Sequence, residues 1–315
     1  MNNSVIPFIA APDYAHTDAW LSALQVAMPE FRIASVDALT PEEKQTLTVA
    51  IVANPDPAVL QQLPKLVWVH SVWAGVERLL MDLGHTELKI VRLIDPQLAD
   101  TMAEAVLAWT LYLHRDMPRY ARQQKVAQWL SHEYIPPQRK TVSLLGLGAL
   151  GKAAAARLQL AGFQVCGWSR HPKALDAITC FHGEEGLIHM LNRTDILICL
   201  LPLTAETRHL LNLKTLQQLP QRASLINFGR GLIVHDENLR IMLDSNHIQH
   251  AVLDVFEHEP LPADSWHWHH PGITVLPHCS APTDRQTASA IVAAHLRSYM
   301  QSGAIPDSVN VAQGY

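Results

Sequence analysis

Cysteine is scarce in this sequence, and its spacing narrows the kinds of protein that the chain can be. The 315 residues include four cysteines, Cys166, Cys180, Cys199 and Cys279, and no two of them form a CxxC pair. Two of them lie inside apolar, strand-like runs, where a small buried thiol is common. We therefore expect free thiols and a reducing compartment, the cytoplasm.

Long apolar runs and blocks of basic residues are also absent. No stretch of 18 apolar residues occurs, and the opening MNNSVIPFIAAPDY lacks the basic segment and long apolar run of a secretory signal. The formal net charge is −5, and no block of Lys and Arg accompanies it, which argues against a nucleic-acid-binding protein. We expect a protein of the cytoplasm that binds neither membranes nor nucleic acids.

Histidine is abundant, with 18 residues, and its densest group is HWHH at 267–270, beside His258. Adjacent histidines point in different directions and lack the spacing that lets two ligands share one metal ion. We therefore predict a surface loop here and no metal site.

Short apolar runs alternate with helical patterns along the whole chain. VIPFIA, TVAIVA and LVWVH form a first series, and a second starts at Thr141 with VSLLGLG and continues through FQVCGW, DILICLL, SLINFG, HAVLDVF and ITVLP. This alternation is typical of parallel strands joined by crossover helices. Since the chain is also longer than one core usually serves, we predict an α/β protein with two doubly wound parallel-sheet domains.

A long helical pattern, DTMAEAVLAWTLYLHRDMPRYARQQ, starts near Thr101 and marks the joint between the two domains. A second amphipathic pattern, TDRQTASAIVAAHLRSYMQSG, is expected to carry the chain back to the first domain. We therefore assign residues 1–101 and 286–315 to the first domain and residues 102–285 to the second. The long helix suits a core or a subunit interface equally well.

A glycine-rich loop opens the second series. KTVSLLGLGALGKAAAARL gives a strand, a Gly-x-Gly-x-x-Gly loop and a helix in that order. Gly146 permits the tight turn, Gly148 lets a pyrophosphate approach the backbone, and Gly151 lets helix and strand pack closely. The helix N-terminus offers N–H groups and a partial positive charge to the phosphates. We predict a dinucleotide-binding domain of the Rossmann type.

The segment GWSRHPK follows the next predicted strand, about twenty residues after the glycine loop, where NAD-binding sites place Asp or Glu. Ser169 and Arg170 stand there instead. A planar guanidinium suits a phosphate dianion, so we predict NADP as the preferred cofactor and NAD as the alternative. His171 and Lys173 are expected to add only diffuse positive charge, and a solvated basic turn is the other interpretation.

Three charged residues, Arg230, Glu259 and His278, each follow an apolar strand-like run. Open α/β sheets bind ligands at the carboxyl ends of their strands. There an arginine can hold a carboxylate and polarise a ketone, an imidazolium can donate a proton, and a carboxylate can keep it charged. The pattern therefore indicates reduction of a 2-oxo acid. The roles stay open because other polar residues lie nearby in sequence: His235, Asp236, Glu237, Glu257 and His258.

Four motifs, GLGALG, NFGRG, LDVFEHEPL and LPH, occur in this order, and with them the chain resembles the D-isomer-specific 2-hydroxyacid dehydrogenases over nearly its whole length. WSR, SVWAGVERL, LLPLTAETRHLLN and the terminal GY are similar to the family's bacterial glyoxylate/hydroxypyruvate reductases of the A type. The resemblance implies a Rossmann-type cofactor domain, a flavodoxin-like substrate domain and a homodimer. It also implies reduction of glyoxylate to glycolate and of hydroxypyruvate to D-glycerate.

The resemblance also assigns roles to individual residues. It implies that Arg230 binds substrate and takes part in catalysis, that Glu259 pairs with the histidine, and that His278 is the acid/base. Asp254 is expected to contact the nicotinamide amide. The expected cofactor-binding residues are Gly146, Gly148, Ala149, Leu150, Gly151, Ser169, Arg170, Leu201, Pro202, Phe228, Gly229 and Asp254. The expected substrate-binding residues are Arg230 and the loop Trp73, Ala74 and Gly75, whose backbone N–H groups would receive a carboxylate.

Some positions depart from the family pattern. Phe228 and Trp73 are larger than the residues common there, which predicts a narrower or differently shaped pocket. Dimerisation is expected through the long helix after Thr101, with Trp129 beyond it packed within its own subunit or, as the alternative, reaching the partner's active site. Two other functions stay open: a reductase of larger 2-oxo acids in the same family, and a dinucleotide-sensing corepressor or scaffold.

Overall fold

The computed structural model describes residues 4–311, which divide into two compact units. One unit comprises the residues up to Gln97 together with those from Thr283 onward, and the other is Leu98–Pro282. Each division falls a few residues before the predicted boundary. The naming of the units as substrate and cofactor domains stays a prediction. Within the described part of the chain, no helix combines the length and apolar character needed to cross a bilayer.

The first unit contains a five-stranded parallel sheet in the order β2-β1-β3-β4-β5. Its strands are β1 (Val5–Ala10), β2 (Arg32–Ser35), β3 (Val49–Ala53), β4 (Trp68–Ser71) and β5 (Lys89–Val91). Its helices in this part of the chain are α1 (Thr17–Ala27), α2 (Pro41–Lys44), α3 (Pro57–Leu60) and α4 (Glu77–Leu83). The central strand β3, VAIVA, is buried at every position, as expected for a parallel strand covered on both faces. This strand order is the flavodoxin-like one, as predicted.

The second unit contains a seven-stranded parallel sheet in the order β12-β11-β10-β9-β6-β7-β8. Its strands are β6 (Thr141–Leu145), β7 (Gln164–Ser169), β8 (Thr179–His182), β9 (Ile196–Cys199), β10 (Ala223–Asn227), β11 (Ile248–Leu253) and β12 (Ile273–Val275). Its helices are α5 (Pro96–His114), α6 (Met117–Lys125), α7 (Ala149–Leu160), α8 (Gly183–Leu191), α9 (Leu213–Leu216) and α10 (Asp236–Asp244). Short 3-10 helices cover Val36–Ala38, Pro137–Arg139, Gly231–Ile233 and Trp266–Trp268.

The strand order of the second sheet reverses between β6 and β9. From β6 the chain builds β7 and β8 on one side and then returns to build β9 to β12 on the other. Ligands of open α/β sheets bind outside the carboxyl ends of the strands at such a reversal. The predicted class, two parallel-sheet α/β units of which one is of the Rossmann type, is confirmed.

The predicted bounds of the long helix, with a start near Thr101, are wrong. Helix α5 already begins at Pro96 and ends at His114, and α6 is a separate helix. Asp116 between them has a left-handed backbone with φ of 52°. Pro118 lies in the first turn of α6, where its missing N–H costs nothing, whereas inside a continuous helix it would remove a hydrogen bond.

The segment after α6 leaves several large apolar side chains in solvent. Trp129 is fully exposed (102%) and therefore does not pack within its own subunit as expected. Other exposed apolar residues lie within α6 (Met117 and Tyr120) and after it (Val126, Leu130, Tyr134 and Ile135). Such a concentration of exposed apolar side chains in one stretch of the chain is typical of an interaction site.

Helix α11 (Arg285–Ser302) belongs to the first unit. Asp284 caps it by accepting hydrogen bonds from the backbone N–H groups of Gln286 (2.8 Å) and Thr287 (2.9 Å), a contribution of about 1 kcal/mol. Val292 and Leu296 are fully buried in the same core as β1 and α1. The first core is therefore built from both ends of the chain.

Candidate active site

Three loops meet at the carboxyl edge of the second sheet, following β6, β9 and β10. Gly146 has a φ of 104°, and a Cβ there would lie 3.0 Å from the carbonyl oxygen of Leu200. A Cβ on Gly229 would lie 2.7 Å from the carbonyl oxygen of Leu201. Glycine is therefore required at both positions by close backbone approach. The expected cofactor residues Leu201 and Pro202 lie in the middle loop.

The first turn of α7 has the form of a phosphate cradle. A Cβ on Gly148, which caps this helix, would meet nothing within 4 Å, so the space in front of the helix N-terminus is open. A Cβ on Gly151 would lie 1.9 Å from the carbonyl oxygen of Gly146, so a side chain there would push helix and loop apart. Ala149 and Leu150 form the start of the helix. These residues fit a dinucleotide pyrophosphate.

The basic turn after β7 is partly engaged by the protein itself. Nη2 of Arg170 donates to Oε2 of Glu206 at 3.2 Å and lies 3.5 Å from Oγ1 of Thr204. Nζ of Lys173 donates to the carbonyl oxygen of Leu147 in the glycine loop at 3.0 Å, and its expected contribution of diffuse positive charge stays a prediction. Ser169 is buried, and its hydroxyl donates to the carbonyl of its own turn. Lys173 therefore lies beside the glycine loop, and Arg170 contacts the segment after β9.

His278 and Glu259 form a hydrogen-bonded pair. Nδ1 of His278 lies 2.7 Å from Oε2 of Glu259, and the other carboxylate oxygen accepts the backbone N–H of Phe256 at 2.9 Å. Because the carboxylate accepts from Nδ1, Nε2 is the ring nitrogen that can donate to a bound molecule. About half of the His278 side chain (53%) is exposed. The pair therefore has the form of an oriented proton donor.

The environment of this pair favours the charged state of both partners. The hydrogen bond to Glu259 raises the pKa of His278 above its ordinary value of 6.5, although burial opposes this. Burial raises the pKa of Glu259, but the hydrogen bonds from His278 and from the Phe256 N–H outweigh it and hold that pKa below its ordinary value. The positive charge of Arg230 lowers the pKa of both groups. Arg230 therefore acts electrostatically on both members of the pair.

Arg230 is held in a turn that Asn227 shapes. The buried Asn227 side chain accepts the N–H of Gly229 at 3.2 Å and donates to the carbonyl of Arg230 at 3.0 Å. Nη1 of Arg230 donates to the carbonyl of Gly229 at 2.7 Å. Sequence reasoning missed Asn227, although an Asn at the start of a glycine-rich turn is a signal for such bonding.

Asp254 supports the turn that contains His278. Its buried carboxylate accepts the backbone N–H groups of Cys279 (2.8 Å) and Ser280 (2.9 Å). His278 itself has a left-handed φ of 52°, which is uncommon for a residue with a side chain. Asp254 therefore stabilises a strained backbone at the candidate acid/base. Its expected contact with the nicotinamide stays a prediction.

The two bulky residues expected to reshape the pocket both pack against cores. Phe228 is 4% exposed and packs in the core of its unit, and its expected place beside the nicotinamide stays a prediction. Trp73 is partly buried in the first unit, with its ring edge-on to Tyr14 at 5.5 Å. Its N–H donates to Oγ of Ser71 at 3.1 Å. The substrate-binding role of Trp73, Ala74 and Gly75 stays a prediction.

The HWHH stretch is not simply a surface loop, and that prediction is wrong for His267. This residue is 4% exposed, and its ring nitrogens contact Oγ of Ser265 (2.7 Å) and Oδ1 of Asp236 (3.0 Å). Asp236, one of the alternative site residues, therefore pairs with His267, whereas Glu259 pairs with His278. In the part of the chain that the structure describes, no group of three or more His, Cys, Asp or Glu could hold a metal ion.

Comparison with known proteins agrees with this architecture. Residues 107–280 match the family model described as "D-isomer specific 2-hydroxyacid dehydrogenase, NAD binding domain". The glyoxylate/hydroxypyruvate reductase A of Yersinia enterocolitica is 34% identical over 303 residues, which cover 94% of this chain and 96% of that protein.

Two crystal structures are similar over almost the whole chain. A D-isomer specific 2-hydroxyacid dehydrogenase from Xanthobacter autotrophicus in complex with NADPH is 36% identical with a TM-score of 0.91, covering 99% of this chain and 100% of that one. An NADPH-dependent glyoxylate/hydroxypyruvate reductase from Sinorhizobium meliloti in complex with NADP is 29% identical with a TM-score of 0.87, covering 98% and 100%. The chain therefore belongs to the D-isomer specific 2-hydroxyacid dehydrogenase family.

Proposed function

We propose that this protein is an NADPH-preferring reductase of small 2-oxo acids, converting glyoxylate to glycolate and hydroxypyruvate to D-glycerate. The observation that carries the proposal is the Glu259–His278 pair beside Arg230, in the same unit as the open glycine loop. The names of the similar reductases from Yersinia enterocolitica and Sinorhizobium meliloti support the substrates, and the NADPH and NADP in the similar crystal structures support the cofactor.

Each charged residue has a distinct task in this proposal. Bound NADPH supplies the hydride that reduces the carbonyl carbon. The guanidinium of Arg230 binds the substrate carboxylate and polarises the carbonyl. Nε2 of charged His278 gives its proton to the oxygen that becomes the hydroxyl, and His278 then regains a proton from solvent. Glu259 orients the ring and favours its charged form. The glycine loop, Arg170 and Lys173 would hold the cofactor phosphates.

Turnover with a panel of 2-oxo acids tests this proposal. We expect saturable NADPH oxidation with glyoxylate and hydroxypyruvate, and a lower kcat/KM with branched or longer 2-oxo acids. Turnover confined to the larger acids would contradict the proposed substrates in favour of another reductase of the family. Tight NADPH binding without turnover of any 2-oxo acid would contradict the proposed enzyme in favour of a dinucleotide-sensing scaffold.

The cofactor preference is expected to depend on Arg170. Arg170→Asp should lower the ratio of kcat/KM for NADPH to that for NADH by roughly 10- to 100-fold, because a charged hydrogen bond to the 2′-phosphate is lost. Steady-state kinetics with both cofactors measures this ratio. The same charge reversal at the exposed Arg139, at the amino end of β6, is the control and should leave the ratio unchanged. An unaltered ratio in Arg170→Asp would place the recognition of the phosphate elsewhere.

We also propose a homodimer that uses the exposed apolar segment after α6. Trp129 and Leu130 are two adjacent exposed apolar side chains of this segment, at 102% and 51% exposure. Sedimentation equilibrium should give two chains for the wild type and one chain for the double variant Trp129→Asp with Leu130→Asp. Leu160→Asp, at an even more exposed leucine (89%) at the end of α7, should remain dimeric. A double variant that stays dimeric would contradict the use of this segment.

The cysteines support a reducing compartment. Cys166 and Cys199 are buried free thiols, and burial raises the pKa of Cys199 to about 12, which keeps that thiol protonated and unreactive. We propose that the protein works in the cytoplasm.

A further inference from the structure

The buried histidine of the HWHH stretch, His267, bonds the side chain of Asp236 and packs against the ring of Phe256. His267 lies in the 3-10 helix Trp266–Trp268. Since the carboxylate of Asp236 only accepts hydrogen bonds, Nε2 carries a proton, and Nδ1 accepts from the hydroxyl of Ser265. The ring is stacked on Trp266 at 4.1 Å and lies edge-on to Phe256 at 5.2 Å. The imidazole is therefore fixed in position and orientation and has no open face for a ligand.

The His267 ring is connected to Glu259 through Phe256. Phe256 packs its ring against His267, and its backbone N–H is the group that holds Oε1 of Glu259. The other oxygen of the same carboxylate holds Nδ1 of His278. A displacement of Phe256 would therefore move the carboxylate that orients the candidate acid/base.

The His267 ring is connected to the segment that contains Arg230 through its hydrogen bond to Asp236. Asp236 is the first residue of α10 and follows the 3-10 helix Gly231–Ile233. At Gly231 this segment touches the Glu259 loop directly, because a Cβ there would lie 2.0 Å from the carbonyl carbon of Phe256 and 2.5 Å from the nitrogen of Glu257. The His267–Asp236 hydrogen bond, with the packing of His267 on Phe256, is therefore a second link between the Arg230 segment and the Glu259 loop.

We propose that His267 is a positioning residue, which through Asp236 and Phe256 fixes the Glu259 loop against the Arg230 segment and so keeps Glu259 on His278. A leucine of similar volume could fill the space of the imidazole, but it could not make the bond between the segments. This inference rests on the proposed function only for its effect on turnover, because the Glu259–His278 geometry exists without substrate.

The test compares His267→Leu with His270→Leu, a matched change in the same stretch. His270 also packs edge-on against Trp266 and also bonds a carboxylate, Asp244 at 3.2 Å, but Asp244 is the last residue of α10, whereas Asp236 is the first. The readout is the titration of His278 by NMR of histidine-labelled protein, with its signal assigned from His278→Gln. The surroundings that set this titration are Glu259, Arg230 and Asp254.

We expect His267→Leu to move the titration of His278 to lower pH and to lower kcat about 10-fold with little change in KM, because a small misplacement of an orienting group is costly. His267→Gln, whose amide can still donate to Asp236, should show a His278 titration and a kcat close to those of the wild type. His270→Leu should change neither the His278 titration nor kcat. If His267→Leu does not fold, Asp236→Ala on the half-exposed partner should give the same shift.

An unchanged His278 titration in a folded His267→Leu or Asp236→Ala protein would overturn the inference and would mean that the His267–Asp236 bond contributes only to stability.

The proposed function and the positioning role of His267 can fail independently of each other. A wild type without turnover of 2-oxo acids, but with a shifted His278 titration in the variants, would overturn the proposed function and leave the positioning role intact.

Discussion

Replacing His278 with Gln lowers kcat for glyoxylate reduction by about 100- to 10,000-fold, the range that a positioned proton donor contributes, while the Kd for NADPH changes little. Glutamine keeps the polarity and a similar reach, so the loss reports the missing proton rather than a cavity. Stopped-flow or steady-state NADPH oxidation measures kcat, and fluorescence titration measures the Kd. The neighbouring exposed His258→Gln is the control and should keep full activity. A His278→Gln enzyme with near-normal kcat would remove this residue from the mechanism.

The pH dependence of the wild-type rate is an independent test of His278 as the proton donor. Reduction needs charged His278, and the hydrogen bond to Glu259 raises its pKa above 6.5. The rate of reduction should therefore persist through pH 6.5 and fall only as the pH rises through the raised value. Oxidation of the hydroxy acid needs neutral His278 and should instead fall as the pH drops through it. Glu259→Gln removes the hydrogen-bonding carboxylate, so both limbs should move to lower pH.

Arg230→Lys is expected to reduce kcat/KM for glyoxylate about 100- to 1,000-fold although the positive charge is kept. One ammonium cannot hold a carboxylate at two points and polarise the adjacent carbonyl with the same planar group. The turn bonded by Asn227 aims the guanidinium, and a shorter donor on a flexible stem loses that orientation. Steady-state kinetics with glyoxylate measures the loss.

The matched control for this change lies at the opposite end of the same strand. Arg222 directly precedes β10, whereas Arg230 follows it, and Arg222 bonds the side chain of Gln249 at 3.0 Å. Arg222→Lys should leave kcat/KM within about twofold of the wild type, as is usual for surface changes. Near-normal kinetics for Arg230→Lys would contradict the two-point grip.

Most strands, and the places where charged residues leave the sheet, could be predicted because both follow from local pattern. Buried parallel strands appear in the sequence as continuous apolar runs, and a residue after such a run must lie at the carboxyl edge. Arg230, Glu259 and His278 were selected in this way, and in the structure Glu259 and His278 are hydrogen-bonded to each other. Three short strands, β2, β5 and β8, escaped because three or four residues carry little periodicity.

The parts of the site that could not be predicted depend on contacts between distant residues. His267 and Asp236 are 31 residues apart, and Arg170 and Glu206 are 36 apart, so no local spacing joins them. Which of four neighbouring aromatic rings points inward at HWHH depends on a 3-10 turn formed by tertiary packing. The break at Asp116 had a local signal in Pro118, which was outweighed by the apolar helical pattern before it.

The position of α11 also determines the order in which the chain can fold as it is synthesised. The second unit is one continuous stretch, Leu98–Pro282, so all of its strands are available as soon as that stretch has left the ribosome. The first unit starts earlier but lacks Val292 and Leu296 of its core until nearly the whole chain has been made. The N-terminal sheet therefore has an uncovered apolar face while the second unit folds. The core of the first unit is complete only after residues 285–302, which form α11, have been translated.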